Sequence, residues 1–339
     1  MIRMSEIGQF RGVVYAVNHK TDYVGLDEAG EPMYETRPKP VITFTGTVKL
    51  HGTNAGVSLK ENGSVQAQSK SKKIGIDGHF GFGHFVEANA NEFKRIITEF
   101  AENIDCDPYL DNITLMGEWA GKGIQKEVAI SELEKAFYIF GAKMRLADDE
   151  NKEVSSFWVD SSKIRSDNDR IRNVSEFKTY EIDIDFENPA SAQNVMIKIT
   201  EAVEAECPVA KHYGTEGIGE GVVWLGDFRG ERLIFKVKGE KHSVTKVKKL
   251  AEVDIEKMAS VNEFVNYAVT PNRVNQAIEY VFSGKPLDIR KTGEILKWVN
   301  IDILKEELDT MTENNLEPRD VNKAVSMRAK QIFFKQLQV

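Results

Sequence analysis

The sequence predicts an α+β fold in which a strand-rich domain precedes a small all-α domain. Residues 40–250 contain short β-rich runs with fewer helical patterns, whereas the apolar spacing from residue 255 onward is helical throughout. In addition, a chain of 339 residues exceeds the roughly 250 to 300 residues that one hydrophobic core usually supports. We therefore predict one domain at residues 1–245 and a second at residues 250–339.

The strands are predicted from alternation and turn residues. Alternating apolar runs flank Glu61-Asn62-Gly63, and Asn-Gly between such runs is a strong signal of a hairpin. Further strands are predicted at residues 113–116, 137–140, 222–225 and 233–238. In the last of these, alternation sends Lys236 and Lys238 to one face and apolar residues to the other.

The helices are predicted from apolar residues spaced three and four apart. In the first domain these stripes are Phe93, Ile96, Ile97 and Phe100, and then Val195, Met196, Ile199 and Val203. In the second domain they lie at residues 261–268, 274–282 and 321–333, with breaks at Pro271, residues 284–286 and Pro318. Residues 74–85, rich in glycine and aromatic residues, are predicted to form a mobile loop.

Composition excludes several classes of protein. With 41% hydrophobic and 29% charged residues, the chain is typical of a soluble globular protein. It has no apolar run of the roughly 18 residues that span a membrane and no secretory apolar core at the N-terminus, so we predict a cytoplasmic protein without membrane contact. Cys106 and Cys207 have no metal-binding or redox spacing.

Charge alone does not identify a ligand. The net charge of −8 argues against non-specific coating of nucleic acid. Two basic clusters stand out, namely Lys70, Lys72 and Lys73, and then Lys236, Lys238, Lys241, Lys246, Lys248 and Lys249. Taken alone, each cluster is typical of a solvated surface, and the lysines from 241 to 249 fit RNA contact and a solvated linker equally well.

Common catalytic motifs are absent from the sequence. It contains no Walker loop, no dinucleotide-binding glycine motif, no zinc-protease or EF-hand pattern and no Ser/His/Asp signature. His79 and His84 are too sparse to predict a metal site. What remains is Lys49-Leu50-His51-Gly52-Thr53-Asn54, which follows a β-like segment.

This run resembles the K-x-x-G signature of ATP-dependent ligases and capping enzymes, in the K-x-H-G-T-N form of the RNA ligase 2 family of phages and of the kinetoplastid editing ligases. Further segments in the same order strengthen the resemblance, and they are residues 116–121 with 123–126, 137–140, 220–224 and 236–238. Residues 269–275 and 303–307 resemble the helical C-terminal domain of that family. No strand pattern of an OB module follows residue 250, which favours RNA over DNA as substrate.

The resemblance implies an adenylyltransferase domain of antiparallel sheets, followed by a helical domain that engages RNA. The implied activity joins RNA 5′-phosphate and 3′-hydroxyl ends, with nicks in duplex RNA as one candidate substrate. The implied cofactors are ATP and Mg²⁺, or Mn²⁺ in place of Mg²⁺. The protein is expected to be a monomer. The same resemblance implies these roles: Lys49 is the nucleophile that carries AMP, Phe140 stacks on adenine, Glu118 binds the ribose and Glu220 places the metal with Glu118.

The remaining implied roles concern phosphate contacts and the later steps. Lys236 and Lys238 neutralise the α-phosphate, and Lys70, where the family more often has arginine, contacts ATP and the RNA 5′ phosphate. His51, Thr53 and Asn54 act after lysine adenylylation. Leu225 departs from the family pattern, where the phage enzyme continues with lysine.

The residue chemistry is consistent with these roles. A free lysine titrates near 10.4, so a nucleophilic Lys49 requires a pKa that is lowered by desolvation or by a cationic environment. Lys236 and Lys238 are predicted to supply such an environment, and a bound metal would add to it. Gly52 is expected to let the backbone approach the nucleotide. Each residue also has a plainer interpretation: surface charge for the lysines and glutamates, and core packing for Phe140. Two other functions stay open, namely an ATP-dependent ligase of DNA or RNA/DNA-hybrid nicks and a non-catalytic RNA-binding protein.

Overall fold

The structure is a computed structural model. It describes residues 1–4, 7–109, 112–145, 156–242, 261–314 and 316–337. Lys246, Lys248, Lys249 and the predicted domain boundary lie outside the described residues.

The chain forms two compact units, Met1–Gly239 and Glu240–Val339. The strands of the first unit are β1 (Tyr23–Leu26), β2 (Pro32–Tyr34), β3 (Val41–Lys49), β4 (Thr53–Leu59), β5 (Val65–Ser69), β6 (Ile113–Ala120), β7 (Ala136–Arg145), β8 (Ser156–Val159), β9 (Ile171–Asn173), β10 (Thr179–Asp185), β11 (Gly221–Phe228) and β12 (Glu231–Lys238). Its helices are α1 (Phe10–Asp22), α2 (Phe82–Ala88), α3 (Ala90–Asn103), α4 (Gln193–Ala205) and α5 (Pro208–His212). The second unit contains α6 (Val261–Ala268), α7 (Pro271–Phe282), α8 (Thr292–Glu313) and α9 (Pro318–Leu337).

Two antiparallel sheets form the framework of the first unit. One has the strand order β10-β3-β11-β12, and the other has the order β5-β4-β6-β7-β8, with β9 added in parallel beside β7. A separate hairpin joins β1 and β2. The α+β fold class with antiparallel sheets and C-terminal helices is therefore confirmed.

The two sheets are joined directly at β3 and β4. Strand β3 ends at Lys49 in the first sheet, and β4 begins at Thr53 in the second, so only three residues link them. The predicted hairpin connects β4 to β5, with Gly63 in the left-handed region at φ +74°. Consequently, residues 49–54 lie where the two sheets meet.

Helices cover the sheets and complete the cores. In α3 the predicted stripe of Phe93, Ile96, Ile97 and Phe100 is buried against the second sheet. Helix α1 contributes Val17 to the core of the first sheet, and α4 contributes Met196 and Val203. Burial of these apolar faces is the main force that fixes the helices on the sheets.

Two predictions about local structure are wrong. The segment predicted as a mobile loop at residues 74–85 enters α2 at Phe82, because Phe82 and Phe85 pack around the buried Trp119. In α4, Val195 is 47% exposed, since the stripe that faces the core runs through Met196, Thr200 and Val203 instead.

The helical unit has its own core. The four helices that the structure describes in this unit contribute apolar residues at the predicted stripes, among them Phe264, Val274 and Phe333. Helix α8, which no stripe predicted, adds Ile295, Val299 and Ile303 to the same core. Within the described residues, no helix combines the length and apolarity required to cross a membrane.

Candidate active site

Lys49 lies at the end of a strand whose other face is in the core. In β3, Phe44 and Val48 are buried, so alternation directs Lys49 to the opposite face. Lys49 pairs with Gly221 of β11, and Gly221 pairs in turn with Lys238 of β12. Three adjacent strands therefore place two lysines on one face at one end of the sheet.

Glu220 is the centre of the site. Its side chain is 1% exposed, yet three basic side chains contact its two oxygens. Oε2 accepts a hydrogen bond from Lys49 Nζ at 2.7 Å and lies 3.3 Å from His51 Nδ1, while Oε1 lies 3.0 Å from Lys238 Nζ. A buried carboxylate requires such partners, because desolvating an unpaired charge costs several kcal/mol.

Gly221 makes this cluster possible. A Cβ at this position would lie 2.2 Å from the carbonyl oxygen of Val237 and 2.9 Å from Lys238 Cα, and φ is +152°. Any larger residue would push β11 away from β12. The glycine therefore allows the backbone approach that brings Glu220 to Lys238.

Glu118 holds the backbone that follows Lys49. Its Oε1 accepts the N–H of Gly52 at 3.0 Å, and Gln125 Nε2 donates to the Gly52 carbonyl at 3.1 Å. A Cβ on Gly52 would lie 2.4 Å from the Trp119 carbonyl oxygen and 2.8 Å from Ala120 Cβ. Close approach to β6 thus provides a reason for glycine at position 52 that differs from the predicted approach of a nucleotide.

Burial and charge together shift the pKa values of Glu118, Glu220 and Lys49. Burial raises the pKa of Glu118 to about 7, although the charge of Lys49 opposes this. Burial alone would also raise the pKa of Glu220, but the charges of Lys49, Lys238 and His51 hold it well below its usual range. The two carboxyl groups therefore differ strongly in protonation, which is a common property of active sites.

The pKa of Lys49 shifts against the prediction from sequence. Burial lowers this pKa, but the opposing charges of Glu220 and Glu118, with the hydrogen bond to Glu220, outweigh burial and raise it. The prediction that Lys236 and Lys238 lower the pKa of Lys49 is therefore wrong. The reason is that Glu220 contacts both Lys49 and Lys238 and so lies between the two lysines.

The carboxylates also fit a divalent cation. The described residues contain no group of three or more His, Cys, Asp and Glu side chains that could hold a metal ion. Mg²⁺ nevertheless is usually held by one or two carboxylates, with waters and substrate phosphates completing the shell. The hard oxygen ligands of Glu118 and Glu220 suit such a cation.

Three other predicted site residues lie on strands next to this centre. Asn54 pairs with Glu118 across β4 and β6, and Thr53 precedes it. Lys236 shares the face of Lys238 and pairs with Val223. The structure thus brings together Lys49, His51, Glu118, Glu220 and Lys238, with Thr53, Asn54 and Lys236 on the adjoining strands.

Phe140 and Lys70 lie on or after strands of the second sheet, whereas Lys49 ends a strand of the first. Phe140 is half-buried on β7, next to Met116 and 6.5 Å from Trp158 between ring centroids. Lys70 follows the last residue of β5 and is exposed. Its carbonyl accepts the N–H of Met4 at 3.2 Å.

Sequence reasoning missed two polar residues of the site. Gln125 lies in a segment that carries the resemblance, but nothing in the sequence indicated that it bonds Gly52. His79 Nε2 lies 2.9 Å from the Asn54 carbonyl oxygen and 3.3 Å from Thr53 Oγ1, across 25 residues of chain. The sequence carries no pattern that links His79 to β4.

Comparison with known families decides the family of this chain. The profile of the family described as RNA ligase matches residues 42–238, which is more than half of the chain and includes every residue of the site. The chain belongs to the RNA ligase family. The resemblance derived from Lys49 and the segments that follow it is thereby confirmed at the level of the family.

Solved structures of ligases are also similar to this RNA ligase family member. An RNA ligase of Naegleria gruberi with PPi is 13% identical, with 71% of this chain and 56% of that chain covered and a TM-score of 0.39. An archaeal ATP-dependent RNA ligase is 12% identical, with coverage of 100% and 64% and a TM-score of 0.39. A putative ATP-dependent DNA ligase from Aquifex aeolicus is 10% identical, with coverage of 99% and 66% and a TM-score of 0.37.

The chain spans 56% of the Naegleria structure and 64% of the archaeal one. No curated protein sequence matches it.

Proposed function

We propose that this protein is an ATP-dependent RNA ligase that joins a 5′-phosphate to a 3′-hydroxyl end through an adenylate on Lys49. The observation that carries the proposal is the contact of Lys49 Nζ with the buried Glu220, at 2.7 Å, inside the region matched by the RNA ligase family. A lysine held at a fixed position next to a second lysine is suited to nucleophilic attack on a phosphate once the charges of the neighbouring carboxylates are neutralised.

In the first step Lys49 Nζ forms a bond to the α-phosphorus of ATP. The bond from that phosphorus to the bridging oxygen breaks, and pyrophosphate leaves with the electron pair. The ammonium proton of Lys49 must leave for solvent beforehand. A divalent cation held by Glu118 and Glu220 would neutralise the carboxylates whose charges raise the pKa of Lys49.

Two neighbouring lysines would stabilise the charge that develops in this step. Lys238 is fixed by Glu220, and Lys236 lies two residues earlier on the same face of β12. Positive charge held close to the α-phosphate lowers the energy of the transition state without costly rearrangement. Phe140 stacks on adenine, Glu118 binds the ribose and Lys70 contacts ATP and the RNA 5′ phosphate in this proposal.

The second and third steps transfer AMP to RNA and then release it. A 5′-phosphate oxygen of RNA attacks the phosphorus of the lysyl-adenylate, and Lys49 leaves as an amine that takes up a proton from solvent. The RNA 3′-hydroxyl oxygen then attacks the 5′ phosphorus, its proton passes to solvent, and AMP leaves with the electron pair of the broken phosphoanhydride bond. His51, Thr53 and Asn54 act in these steps, and the helical unit engages RNA.

The first experiment tests for the covalent intermediate. Pure protein, stripped of prebound AMP, is incubated with α-labelled ATP and either Mg²⁺ or Mn²⁺ and is then denatured. We expect label on the wild-type chain and none on Lys49→Ala. Lys60→Ala provides a control, because Lys60 is an exposed residue in the turn between β4 and β5. Label retained in Lys49→Ala would exclude Lys49 as the nucleophile.

A second experiment identifies the polymer. Sealing rates are compared on duplex nicks that end in a ribose or a deoxyribose 3′-hydroxyl, and on the two strands without a template. Faster sealing of the ribose ends supports an RNA ligase, whereas equal or faster sealing of the deoxyribose ends indicates a ligase of DNA or hybrid nicks. If the protein forms no adenylate and seals no ends but still binds RNA, it is a non-catalytic RNA-binding protein.

A further inference from the structure

His79 lies where a strand partner of β4 is missing. Strand β5 ends at Ser69, the partner of Ala55, so Thr53 and Asn54 extend beyond it. On their other side both residues are paired with β6. The imidazole Nε2 of His79 lies 2.9 Å from the Asn54 carbonyl oxygen and thereby provides the hydrogen bond that β5 does not reach.

The contact also identifies a ring nitrogen of His79 that carries a proton. A carbonyl oxygen can only accept, so Nε2 must carry the proton that it donates to Asn54. Burial lowers the pKa of His79 and thereby favours the neutral ring, although the hydrogen bond to Asn54 opposes this shift. The same Nε2 lies 3.3 Å from Thr53 Oγ1, so one ring atom contacts both residues.

The backbone around His79 adopts an unfavourable conformation to place the ring there. His79 and Phe80 have φ values of 59° and 55°, a left-handed conformation that costs non-glycine residues about 1 to 3 kcal/mol each. The Phe80 carbonyl is held from two sides, by Lys135 Nζ at 2.9 Å and by Trp119 Nε1 at 3.4 Å. Strain that persists because its surroundings enforce it is a frequent property of functional sites.

Strand β6 contacts both the segment at His79 and Phe80 and the start of β4. Trp119, which donates to Phe80, pairs with Thr53, and the adjacent Glu118 pairs with Asn54. The segment at His79 and Phe80 therefore connects Thr53 and Asn54 on β4 to the strand that carries Glu118. A shift of His79 would move the start of β4 relative to that strand.

We propose that His79 is a positioning residue for strand joining, which holds Thr53 and Asn54 in the orientation that they need after Lys49 has been adenylylated. This inference rests on the proposed function, in which these two residues act on the RNA-adenylate. In that step the 3′ oxygen bonds to the 5′ phosphorus, AMP departs with the electron pair and the hydroxyl proton goes to solvent. Misplacement by about 1 Å is enough to slow such a step considerably.

Two substitutions at His79 distinguish loss of the hydrogen bond to Asn54 from disruption of the fold. In His79→Gln, the side-chain amide nitrogen can occupy the place of Nε2 and donate to Asn54. His79→Asn carries the same amide one methylene nearer the backbone, where it cannot reach, while asparagine tolerates a left-handed φ well. His84→Ala is the control, because His84 belongs to the same region but is exposed and contacts Asp77.

The experiment measures two steps separately in the full-length protein. One assay follows labelling of Lys49 by ATP, and the other follows sealing of a nicked RNA duplex whose 5′ end already carries AMP, without ATP. For His79→Asn we expect sealing to fall at least tenfold while labelling stays within twofold of wild type. For His79→Gln we expect both rates within threefold, and for His84→Ala both unchanged.

The outcomes distinguish this inference from the proposed function. If His79→Asn seals as fast as wild type, if both steps slow equally, or if Gln restores no more than Asn, His79 has no specific role in strand joining. If the wild-type protein forms no adenylate and seals no preadenylated end, the proposed function itself is overturned and this inference with it.

Discussion

Each unit of the protein contains a buried cluster of charges, and the residue at the centre of the cluster is basic in one unit and acidic in the other. In the helical unit the fully buried Arg273 donates to Asp302 Oδ2 at 2.8 Å, to Glu307 Oε1 at 3.2 Å and to the Ala268 carbonyl at 2.5 Å. Arg273 and Glu307 come from the two segments of the tail that resemble the RNA ligase 2 family. In this unit the resemblance therefore marks a structural contact.

In the first unit the centre is an acid, Glu220, and its partners are lysines. Lys49 and Lys238 retain 19% and 17% exposure of their side chains, whereas Arg273 has none. Arginine stays protonated and its fork fits several acceptors at once, while lysine is a point charge that can lose its proton. Arginine therefore suits a buried contact that must stay charged. Lysine suits a site where the proposed reaction requires a neutral amine.

The largest effect on stability is expected from Arg273→Met. The substitution leaves Asp302 and the 3% exposed Glu307 without their shared partner, at a cost of about 3 to 5 kcal/mol. We expect hydrogen exchange in the full-length protein to accelerate in peptides from residues 261–337. Peptides from residues 41–238 should be unaffected, and Lys49 should still accept AMP from ATP.

A matched arginine tests whether burial is the cause. Arg290 is 87% exposed and pairs with Asp288, so Arg290→Met should destabilise the helical unit far less than Arg273→Met. If hydrogen exchange accelerated equally in both variants, burial would not be the reason why loss of Arg273 is costly.

A smaller effect on stability but a clear effect on activity is expected from Glu220→Gln. The change removes the charge that aligns Lys49 and Lys238, and we expect labelling of Lys49 at saturating ATP to fall at least about 100-fold, equivalent to about 2.7 kcal/mol. Stability should fall less than in Arg273→Met, because both lysines reach solvent. Single-turnover labelling and urea unfolding measure the two quantities.

Glu181→Gln is the control for this experiment, since Glu181 is an exposed carboxylate on β10 of the same sheet. Labelling of Glu220→Gln at the wild-type rate would show that Glu220 has no part in the first step.

Sequence reasoning predicted the strands and identified the residues that meet at Glu220, but not the forces between them. The alternation in β12 and the hairpin at Gly63 are local signals, and the structure follows both. The pKa of Lys49 depends on which charges become neighbours after folding, so the sequence suggested lysines where carboxylates dominate. His79 was missed for the same reason, because its partner lies 25 residues away and left-handed backbone at a histidine has no sequence signature.

A third cluster, near the surface, tests how far burial determines the cost of losing a charge. On α3, Glu92 accepts hydrogen bonds from Arg95 at 2.8 Å and from Ser166 Oγ at 2.5 Å, and these contacts lower the pKa of Glu92 to about 2. Because the folded pKa lies below the unfolded value of 4.5, the stabilisation is complete above pH 4.5 and is lost as the pH falls toward 2. Its size should be about 1 to 2 kcal/mol, less than the full shift implies, since Arg95 is 36% exposed.

The measurement compares urea unfolding of wild type and Glu92→Gln between pH 6 and pH 3. We expect the wild type to be more stable by a constant amount above pH 5, and the difference to shrink as the pH falls below 4.5, because protonation then removes the charge from wild type as well. A difference that stayed constant down to pH 3 would show that Glu92 stabilises the fold by packing or neutral hydrogen bonds. In that case charge would matter for stability only where, as at Arg273, solvent is excluded.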